Sequence, residues 1–397
     1  MSTHRLYYAD AYQTEFDAQV VALREDGWAA LDQSAFYPTS GGQPFDTGTL
    51  ESPDETVRVT NVEVQDGVVW HQTDGPLTVG ESVHGRIDWE RRLDHMQQHA
   101  ADHMLAGAAR QLFGAVTIGL HTGKDVSSID MDVPSGRTHF TPEEIQVLET
   151  LVNRRVQQDD PIRCWFPDEA ELAALPLRKK PTVSEHVRVV AMGDYEMVAC
   201  GGTHPSTTGQ IGPVKVLSAV PSRGKLRLSF LSGMRAMRYF QQTAACAQGV
   251  AAALSAEVEN ALPALQRERE NAMAEKKALQ EQLFQTALGL IRQSVRFIGG
   301  AAIYSAALPL GDGGLLVRAA GTLIQSPGTI ALLACPGKSG VMLAFARSPE
   351  LAPDMGMLLR QCGARGGGRP DMAQGSAPSS DVLTAAIAYL QNDLQKE

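Results

Sequence analysis

The chain has 397 residues, of which 43% are hydrophobic and 20% are charged; this composition fits a soluble globular protein of two or three domains. Its five cysteines are scattered and form no C-x-x-C pair, which argues against a disulfide scaffold. The net charge of −10 is unusual for a nucleic-acid binder, so the distribution of charge matters more than its sum. The sequence has no apolar run long enough to span a bilayer and no signal-like start, so we expect a cytoplasmic protein with no membrane partner.

The first 88 residues are predicted to form short antiparallel strands. The stretch "QVVALREDGWAALD" has apolar runs around a D-G turn. A second stretch, "VRVTNVEVQDGVVWHQ", alternates apolar and polar residues around another D-G turn, which is a strong hairpin signal. Such strands give an antiparallel barrel or sandwich, and we predict a small barrel.

Residues 89–235 are predicted to form a mixed α+β domain. A long helix should begin near Asp88 and end at Phe113, where Gly114 is a suitable stop. After the strand-like "VTIGLHTGKDVSSIDMDV", Thr141 and Pro142 have the residue types of a helix start. The stretch from "VRVVAMG" to "VKVLSAV" then returns to strands.

Residues 236–294 are predicted to be a helical connector, rich in Ala, Glu, Gln and Leu, in which Pro263 breaks a helix or begins a second one. Residues 295–397 are predicted to form a C-terminal α/β domain with strands "GGLLVRAA", "TIALLACPG" and "GVMLAFARS". A glycine-rich loop and a final helix, "SDVLTAAIAYLQNDL", follow. The fold class expected for the whole chain is therefore α+β.

Three histidines, His95, His99 and His103, recur at intervals of four in "HMQQHAADH". Residues four apart share one helix face, and two imidazoles there can bind one metal ion. The eight-residue span covers about 12 Å of helix, so one histidine should be left over. A solvated helix face with incidental histidines explains the stripe equally well. Met96 and Ala100 stand where a metalloprotease of this spacing would have glutamate.

A second candidate ligand pair lies in "CGGTHPSTTGQIG", where Cys200 and His204 flank a tight glycine turn. A thiolate and an imidazole across such a turn can face one ion. With His99 and His103 they would complete a set of four ligands. Nitrogen and sulfur donors favour Zn²⁺ over magnesium or calcium, so the predicted cofactor is Zn²⁺.

These motifs resemble the alanyl-tRNA editing proteins, free-standing relatives of the editing domain of alanyl-tRNA synthetase. The two half-sites correspond to "HAADH" and "CGGTH", and the family's glycine-rich stretch to "FYPTSGGQPFDTG". "TGQIGPVKV" and the C-terminal "GARGGGRPDMAQGS" follow in the family's order, so the resemblance covers essentially the whole chain. The metal positions map to His99, His103, Cys200 and His204, and His95 falls outside them. Ala100 and Ser376 depart from the family pattern.

The resemblance implies hydrolysis of mischarged tRNA for alanine, chiefly seryl-tRNA and also glycyl-tRNA. A separate hydrolytic enzyme is needed because the pocket that selects alanine during charging of the tRNA discriminates against a slightly larger or smaller side chain by only about 1–3 kcal/mol. Four protein ligands would fill the coordination of zinc. The ion would then either exchange one ligand or hold the substrate while another group orients water. The resemblance also implies self-association, a homodimer through the C-terminal domain.

The glycine-rich stretch supplies the candidate catalytic residues Thr39, Gly41, Gly42 and Gln43, with Ser40 between them. The glycines would let the backbone approach the aminoacyl ester, and their N–H groups could support an oxyanion. Without the resemblance, the same stretch is also consistent with a simple turn. His121 is equally consistent with a pocket residue and with the end of a strand.

The charge distribution suggests a tRNA-facing surface. Residues 1–90 hold 4 Arg, no Lys and 16 Asp or Glu, a net charge of −12, whereas residues 176–238 hold 10 basic and 3 acidic residues, a net charge of +7. Ordinary surface variation would explain this contrast as well. The predicted phosphate contacts are Arg178, Lys179, Lys180, Arg223, Lys225, Arg227, Arg235 and Arg369, with Arg238 and Arg365 as neighbours.

Two other functions compete with this interpretation. One is a zinc-dependent hydrolase of another substrate class, which leaves the basic region and the C-terminal domain unexplained. The other is a non-catalytic tRNA-binding module with structural zinc. A phosphoesterase is excluded because the chain contains no Asp-His-His triplet.

Overall fold

Alternating apolar and polar residues close the first part of the chain into a barrel. The computed structural model describes residues 2–179, 181, 186–309 and 311–394. In strand β2, Phe16, Ala18 and Val20 are buried and their neighbours are exposed, the pattern of a strand with one face on a core. The antiparallel barrel has the strand order β2-β3-β7-β6-β5-β8, and a separate parallel pair joins β1 to β4. The elements are β1 (His4–Arg5), α1 (Leu6–Ala9), β2 (Glu15–Arg24), β3 (Trp28–Leu31), β4 (Gln33–Ser34), β5 (Gly48–Glu51), β6 (Thr56–Gln65), β7 (Val68–Thr73) and β8 (Ser82–Ile87).

A long helix and two antiparallel sheets follow the barrel. The sheets have the orders β14-β15-β10-β9 and β11-β12-β13. Their shared core includes Met104, Leu105, Ile129 and Phe230. The elements are α2 (Trp89–Phe113), β9 (Val116–Thr122), β10 (Ser127–Asp132), α3 (Pro142–Gln157), β11 (Ile162–Trp165), α4 (Glu169–Ala174), β12 (Val189–Met192), β13 (Glu196–Ala199), β14 (Val214–Ser222) and β15 (Lys225–Ser232).

Helix α2 begins and ends at the predicted residues. The Asp88 side chain accepts a hydrogen bond from the Arg91 backbone N–H, and Gly114 ends the helix in the left-handed conformation with φ of 66°. The side chains from Met96 to Met104 are buried or half-buried, which places the histidine stripe inside the protein. The start of α3 is also as predicted, because Thr141 and Glu144 form a capping box.

The last part of the chain forms a six-stranded sheet with helices. Its order is β16-β17-β18-β19-β21-β20, and among its pairs only β17 with β18 is parallel. Pro263 lies in the first turn of α6, where a missing N–H costs little. The elements are α5 (Gly233–Ala253), α6 (Ala261–Arg292), β16 (Val295–Ile298), β17 (Ala301–Ala307), α7 (Gly313–Leu323), β18 (Thr329–Gly337), β19 (Gly340–Arg347), α8 (Met355–Gln361), β20 (Arg365–Arg369), β21 (Met372–Ala377) and α9 (Val382–Leu394).

The prediction of a strand for "GGLLVRAA" is wrong, because this segment forms helix α7. The Asp312 carboxylate accepts hydrogen bonds from the backbone N–H groups of Gly314 and Leu315 and so caps the helix. Leu315, Ala319 and Leu323 then recur every four residues on the buried face. The other strands and the final helix predicted for this part are present, but the predicted glycine-rich loop is wrong, because its residues form the paired strands β20 and β21.

The mixed α+β class is confirmed, and the chain divides into two compact units, Met1–Gly249 and Val250–Glu397. The finer division into 1–88, 89–235, 236–294 and 295–397 stays a prediction. Within the described part of the chain, no helix combines the length and apolar character needed to cross a membrane.

Candidate metal centre

The structure brings the four predicted ligands together. His99 and His103 come from α2, and Cys200 and His204 come from the loop after β13. One ligand atom from each residue lies within 4.8 Å of the other three. Such a set of three imidazoles and one thiolate fits a zinc site. His95, one turn earlier on α2, is outside this cluster, as predicted.

Within the cluster, the ring nitrogens of His103 are available to an ion. Both ring nitrogens of His103 are buried without a hydrogen-bond partner in the described residues, and its Nδ1 is 3.8 Å from Glu196 Oε1. The Cys200 Sγ lies 3.3 Å from His99 Nε2 and 4.0 Å from His204 Nε2. Buried nitrogens without partners are costly, and coordination to a metal would remove that cost.

The electrostatics of the cluster favour a thiolate at Cys200. Burial opposes its ionisation, but the imidazoles of His99 and His103 outweigh this effect and hold the pKa of the thiol well below its ordinary value. Burial lowers the pKa of His103, but Cys200 and Glu196 together raise it to about 10. Burial lowers the pKa of His204 to about 3. Metal binding uses the deprotonated sulfur and would displace the proton from His103.

Hydrogen bonds from Arg188 shape the loop that carries Cys200 and His204. Its Nη1 donates to the carbonyl oxygens of Cys200 at 3.1 Å and Gly202 at 2.8 Å. A Cβ at Gly202 would lie 2.0 Å from Cε1 of His99, so only glycine lets the loop approach the helix this closely. The second glycine of "CGGTH" therefore has a packing reason.

Gln43 links the glycine-rich stretch to the cluster. Its Oε1 accepts hydrogen bonds from Nδ1 of His99 at 2.8 Å and from the backbone N–H of Thr203 at 3.1 Å. Its Nε2 donates to Thr203 Oγ1 at 2.7 Å, and the side chain is fully buried. These bonds fix the ring of His99 with Nε2 towards the sulfur. Thr203 was not singled out from the sequence, although it lies inside "CGGTH".

Residues 39–42 of the glycine-rich stretch lie at an exposed turn. Ser40 and Gln43 exchange backbone hydrogen bonds around Gly41 and Gly42, whose φ angles of 57° and 83° favour glycine. A Cβ at Gly42 would also lie 2.9 Å from the Leu120 carbonyl oxygen. Thr39 is exposed, and so is His121 on β9.

Glu196 is a second residue that sequence reasoning missed. It is 4% exposed, and it lies between the cluster and Arg178, whose Nε donates to its Oε1 at 2.6 Å. The available signal in the sequence was an acidic residue, Glu196, next to the apolar residues of strand β13. Arg178, predicted as a phosphate contact, thus has its charge paired inside the protein.

Most of the predicted phosphate contacts are paired with carboxylates. Arg227 binds Asp130 through two hydrogen bonds, Arg235 is buried against Asp94, Lys225 is paired with Asp132 and Arg369 with Asp371. Lys180 lies outside the described residues. Among the predicted phosphate contacts and their neighbours, those that are exposed and have no ion pair in the described part of the chain are Lys179, Arg223, Arg238 and Arg365.

Comparisons with family models match two segments of the chain. Residues 5–91 match the model of the class II (A) tRNA synthetases, and residues 187–228 match the second additional domain of threonyl and alanyl tRNA synthetases. The first segment contains the turn at residues 40–43, which we call the glycine turn, and the second contains Cys200 and His204.

Similar proteins include alanine–tRNA ligases of archaea. The ligase of Methanoregula boonei is 34% identical over 97% of this chain, and that of Methanoculleus marisnigri is 33% identical over 98%. The ligase of Thermococcus kodakarensis is 39% identical over 61% of this chain. These alignments cover 43%, 43% and 27% of the relatives, so the chain spans less than half their length.

A solved structure is also similar to part of the chain. It is the C-Ala domain of alanyl-tRNA synthetase from Aquifex aeolicus, with 20% identity over 25% of this chain and 96% of that domain. The TM-score is 0.24, which is too low to support a shared fold.

Proposed function

Because the chain is similar to alanine–tRNA ligases over 97% of its length, we propose that it belongs to the alanyl-tRNA editing proteins and hydrolyses the ester bond of mischarged tRNA for alanine. The expected substrates are seryl-tRNA first and glycyl-tRNA second, and the expected compartment is the cytoplasm. The observation that carries the proposal is the four-residue cluster His99, His103, Cys200 and His204, held next to the glycine turn by Gln43.

The proposed cofactor is Zn²⁺, held by the four residues of this cluster. The unpartnered nitrogens of His103 and the thiolate character of Cys200 both fit that ion. When bound, zinc would supply positive charge and Lewis acidity beside the ester.

The chain's own residues are proposed to bind and orient the aminoacyl group. The exposed N–H groups of Gly41 and Gly42 offer donors for the ester oxygen, and Thr39 offers a hydroxyl to the serine side chain. Gln43 has its Oε1 engaged twice within the protein, which supports a positioning role through His99. A pocket that hydrogen-bonds a serine hydroxyl discriminates against alanine, because the methyl group leaves those polar groups unpaired.

The tRNA backbone is proposed to contact the predicted basic residues. Among them, the exposed Lys179 and Arg223 are the best candidates, because their charges have no ion pair in the described part of the chain. Exposed cations release counterions from phosphate on binding, so affinity should fall steeply as salt rises. A flat salt response would contradict this surface.

A homodimer through the C-terminal part is proposed as well. Within residues 295–397, Phe297, Met357 and Tyr389 are exposed apolar side chains that a partner could cover. Sedimentation of the full chain at several concentrations measures this, and a monomer throughout would contradict the proposal.

The deciding experiment is incubation of the purified protein with seryl-, glycyl- and alanyl-tRNA for alanine while the released amino acid is followed. We expect rapid release of serine, slower release of glycine and no release of alanine. Cys200→Ala should lose both zinc and activity, and the exposed Cys246→Ala is the matched control. Full activity of Cys200→Ala without metal would contradict the mechanism. Binding of tRNA without any deacylation would favour a non-catalytic module.

A further inference from the structure

A cavity of about 680 Å³ lies in the first unit. We call it the side cavity. Its volume is in the range of small-molecule sites. Its walls include Pro44, Arg91, His95, Lys124, Arg235 and Arg238.

The side cavity is lined by residues that lie close along the chain to Gln43 and His99. Pro44 directly follows Gln43, which is hydrogen-bonded to His99. His95 precedes His99 by four residues on α2, so the two side chains point from the same helix face. The cavity also includes Gly123, and the preceding residue, Thr122, donates its backbone N–H to the Gly42 carbonyl at 3.1 Å. A substrate with its ester at the glycine turn would therefore have its next groups at this cavity.

The walls carry four basic residues against two acidic ones, Glu90 and Asp94. Arg235 is committed to Asp94 at 2.8 and 2.6 Å and to the Gly123 carbonyl at 2.8 Å, so it shapes the wall. Lys124 and Arg238 are exposed and have no ion pair in the part of the chain that is described. Arg91 donates its Nε to the Phe45 carbonyl, and its other guanidinium nitrogens have no hydrogen bond among the described residues. These cations suit a phosphate group.

His95 adds a neutral hydrogen-bonding group to the cavity. It is 4% exposed, and its Nδ1 has no hydrogen-bond partner among the described residues. Burial, helped by Arg91, lowers its pKa to about 4. At neutral pH the imidazole is therefore uncharged, and it offers one donor and one acceptor. A hydroxyl group or a base edge satisfies such a ring better than a phosphate does.

We propose that the side cavity binds the nucleotide that precedes the aminoacylated terminal nucleotide at the tRNA 3′ end. Lys124 and Arg238 hold its phosphate, and His95 hydrogen-bonds its ribose hydroxyl or base edge. The proposal rests on the proposed function, because it assumes that the ester is hydrolysed at the adjacent cluster. Recognition of an unstacked single-stranded end by pockets of this kind is typical of RNA-binding proteins.

A comparison of two substrates tests binding of the preceding nucleotide separately from hydrolysis of the ester. Seryl-tRNA for alanine has the preceding nucleotide, and the seryl ester of adenosine lacks it. For Lys124→Ala/Arg238→Ala we expect KM for seryl-tRNA to rise about tenfold with kcat nearly unchanged. Hydrolysis of seryl-adenosine should not change. The control is Arg58→Ala/Arg86→Ala, which removes two exposed arginines from the barrel.

Binding of the single-stranded tetranucleotide ACCA, measured by calorimetry, gives a readout that does not depend on hydrolysis. His95→Phe should weaken this binding about tenfold, while His95→Gln, which retains a donor and an acceptor, should restore most of it. The ¹⁵N signals of the His95 ring should shift when the tetranucleotide is added.

The outcomes distinguish the two proposals. If the wild type does not release serine from seryl-tRNA, the proposed function fails. If the wild type is active but the Lys124/Arg238 variant affects both substrates equally, or the control variant gives the same effect, the nucleotide site is overturned. If His95→Phe binds ACCA as tightly as the wild type does, the nucleotide site is also overturned, whatever the rate at which the variant hydrolyses seryl-adenosine.

Discussion

At the scale of single residues, Gln43 holds one imidazole of the cluster in a fixed orientation. Its carbonyl oxygen accepts from His99 Nδ1, which leaves Nε2 directed at the Cys200 sulfur. A buried polar group that orients a metal ligand affects metal affinity although it never touches the ion.

Replacing Gln43 with leucine is expected to lower zinc affinity about 10- to 100-fold, because His99 and Thr203 lose their shared partner. Competition with a chromophoric chelator measures the affinity. The matched control is Gln242→Leu, an exposed glutamine on α5. Equal zinc affinity of the two variants would show that Gln43 does not position His99.

His71 makes the stability of the barrel depend on pH. Its ring is fully buried between Ser34 Oγ at 2.8 Å and the Ala29 carbonyl at 3.2 Å, and burial lowers its pKa to about 4 from 6.5. The folded state therefore favours the neutral ring. Its contribution to stability is complete above pH 6.5 and is lost as the pH falls from 6.5 towards 4, by about 3 kcal/mol in total.

We expect His71→Phe to flatten the loss of unfolding free energy between pH 6.5 and pH 4 relative to the wild type, because no buried imidazole then has to accept a proton. Urea unfolding followed by tryptophan fluorescence measures this. His139→Phe, at an exposed position, should keep the wild-type slope. A His71→Phe slope as steep as the wild-type slope would contradict the expectation.

At the scale of elements, a buried ion pair joins α2 to the glycine-rich stretch. Arg92 is 1% exposed and donates its Nε to Asp46 at 3.0 Å and its Nη1 to the Ala11 carbonyl at 2.7 Å. Asp46 also accepts from the backbone N–H of Tyr37 at 2.6 Å. The pair fixes the helix that carries two ligands against the loop that carries Gln43.

Arg92→Leu is expected to reduce the unfolding free energy by about 3–5 kcal/mol, because it leaves the Asp46 carboxylate buried without its partner. Chemical denaturation measures the change. Arg86→Leu removes an exposed partner of Glu15 and should cost no more than about 1 kcal/mol. Similar losses in the two variants would mean that burial does not determine the strength of these pairs.

At the scale of the whole molecule, the proposed zinc site should stabilise the first unit alone, because all four ligands lie within Met1–Gly249. An ion that binds only the folded state adds about 4 kcal/mol of stability when it is present at 1,000 times its dissociation constant. The four tryptophans, Trp28, Trp70, Trp89 and Trp165, all lie in this unit and report its unfolding.

Removal of metal by a chelator is expected to lower the thermal midpoint followed by tryptophan fluorescence. The midpoint at which the buried Cys335 of the second unit reacts with a thiol reagent should stay the same. Cys200→Ala should abolish the chelator effect. Equal shifts of both midpoints would contradict a stabilising role confined to the first unit.

The sequence by itself determined the features that depend on local patterns. The alternation in β2, the caps of α2 and α3, and the presentation of His99 and His103 on one helix face all follow from short-range geometry and hydrogen bonding. Local patterns were misleading at α7, where the apolar run "GGLLVRAA" fits a strand as well as a helix and the Asp312 cap decides.

Only the tertiary structure decided which distant residues meet. Gln43 joins the cluster from a segment about 150 residues before Cys200, and its hydrogen bonds to His99 and Thr203 have no signature in any single stretch. The structure also pairs Arg178 with Glu196 and Arg235 with Asp94, which a count of charges along the chain does not reveal. Long-range contacts of this kind are set by how the elements pack, because burial forces each polar group to find a partner among whatever residues the fold brings near.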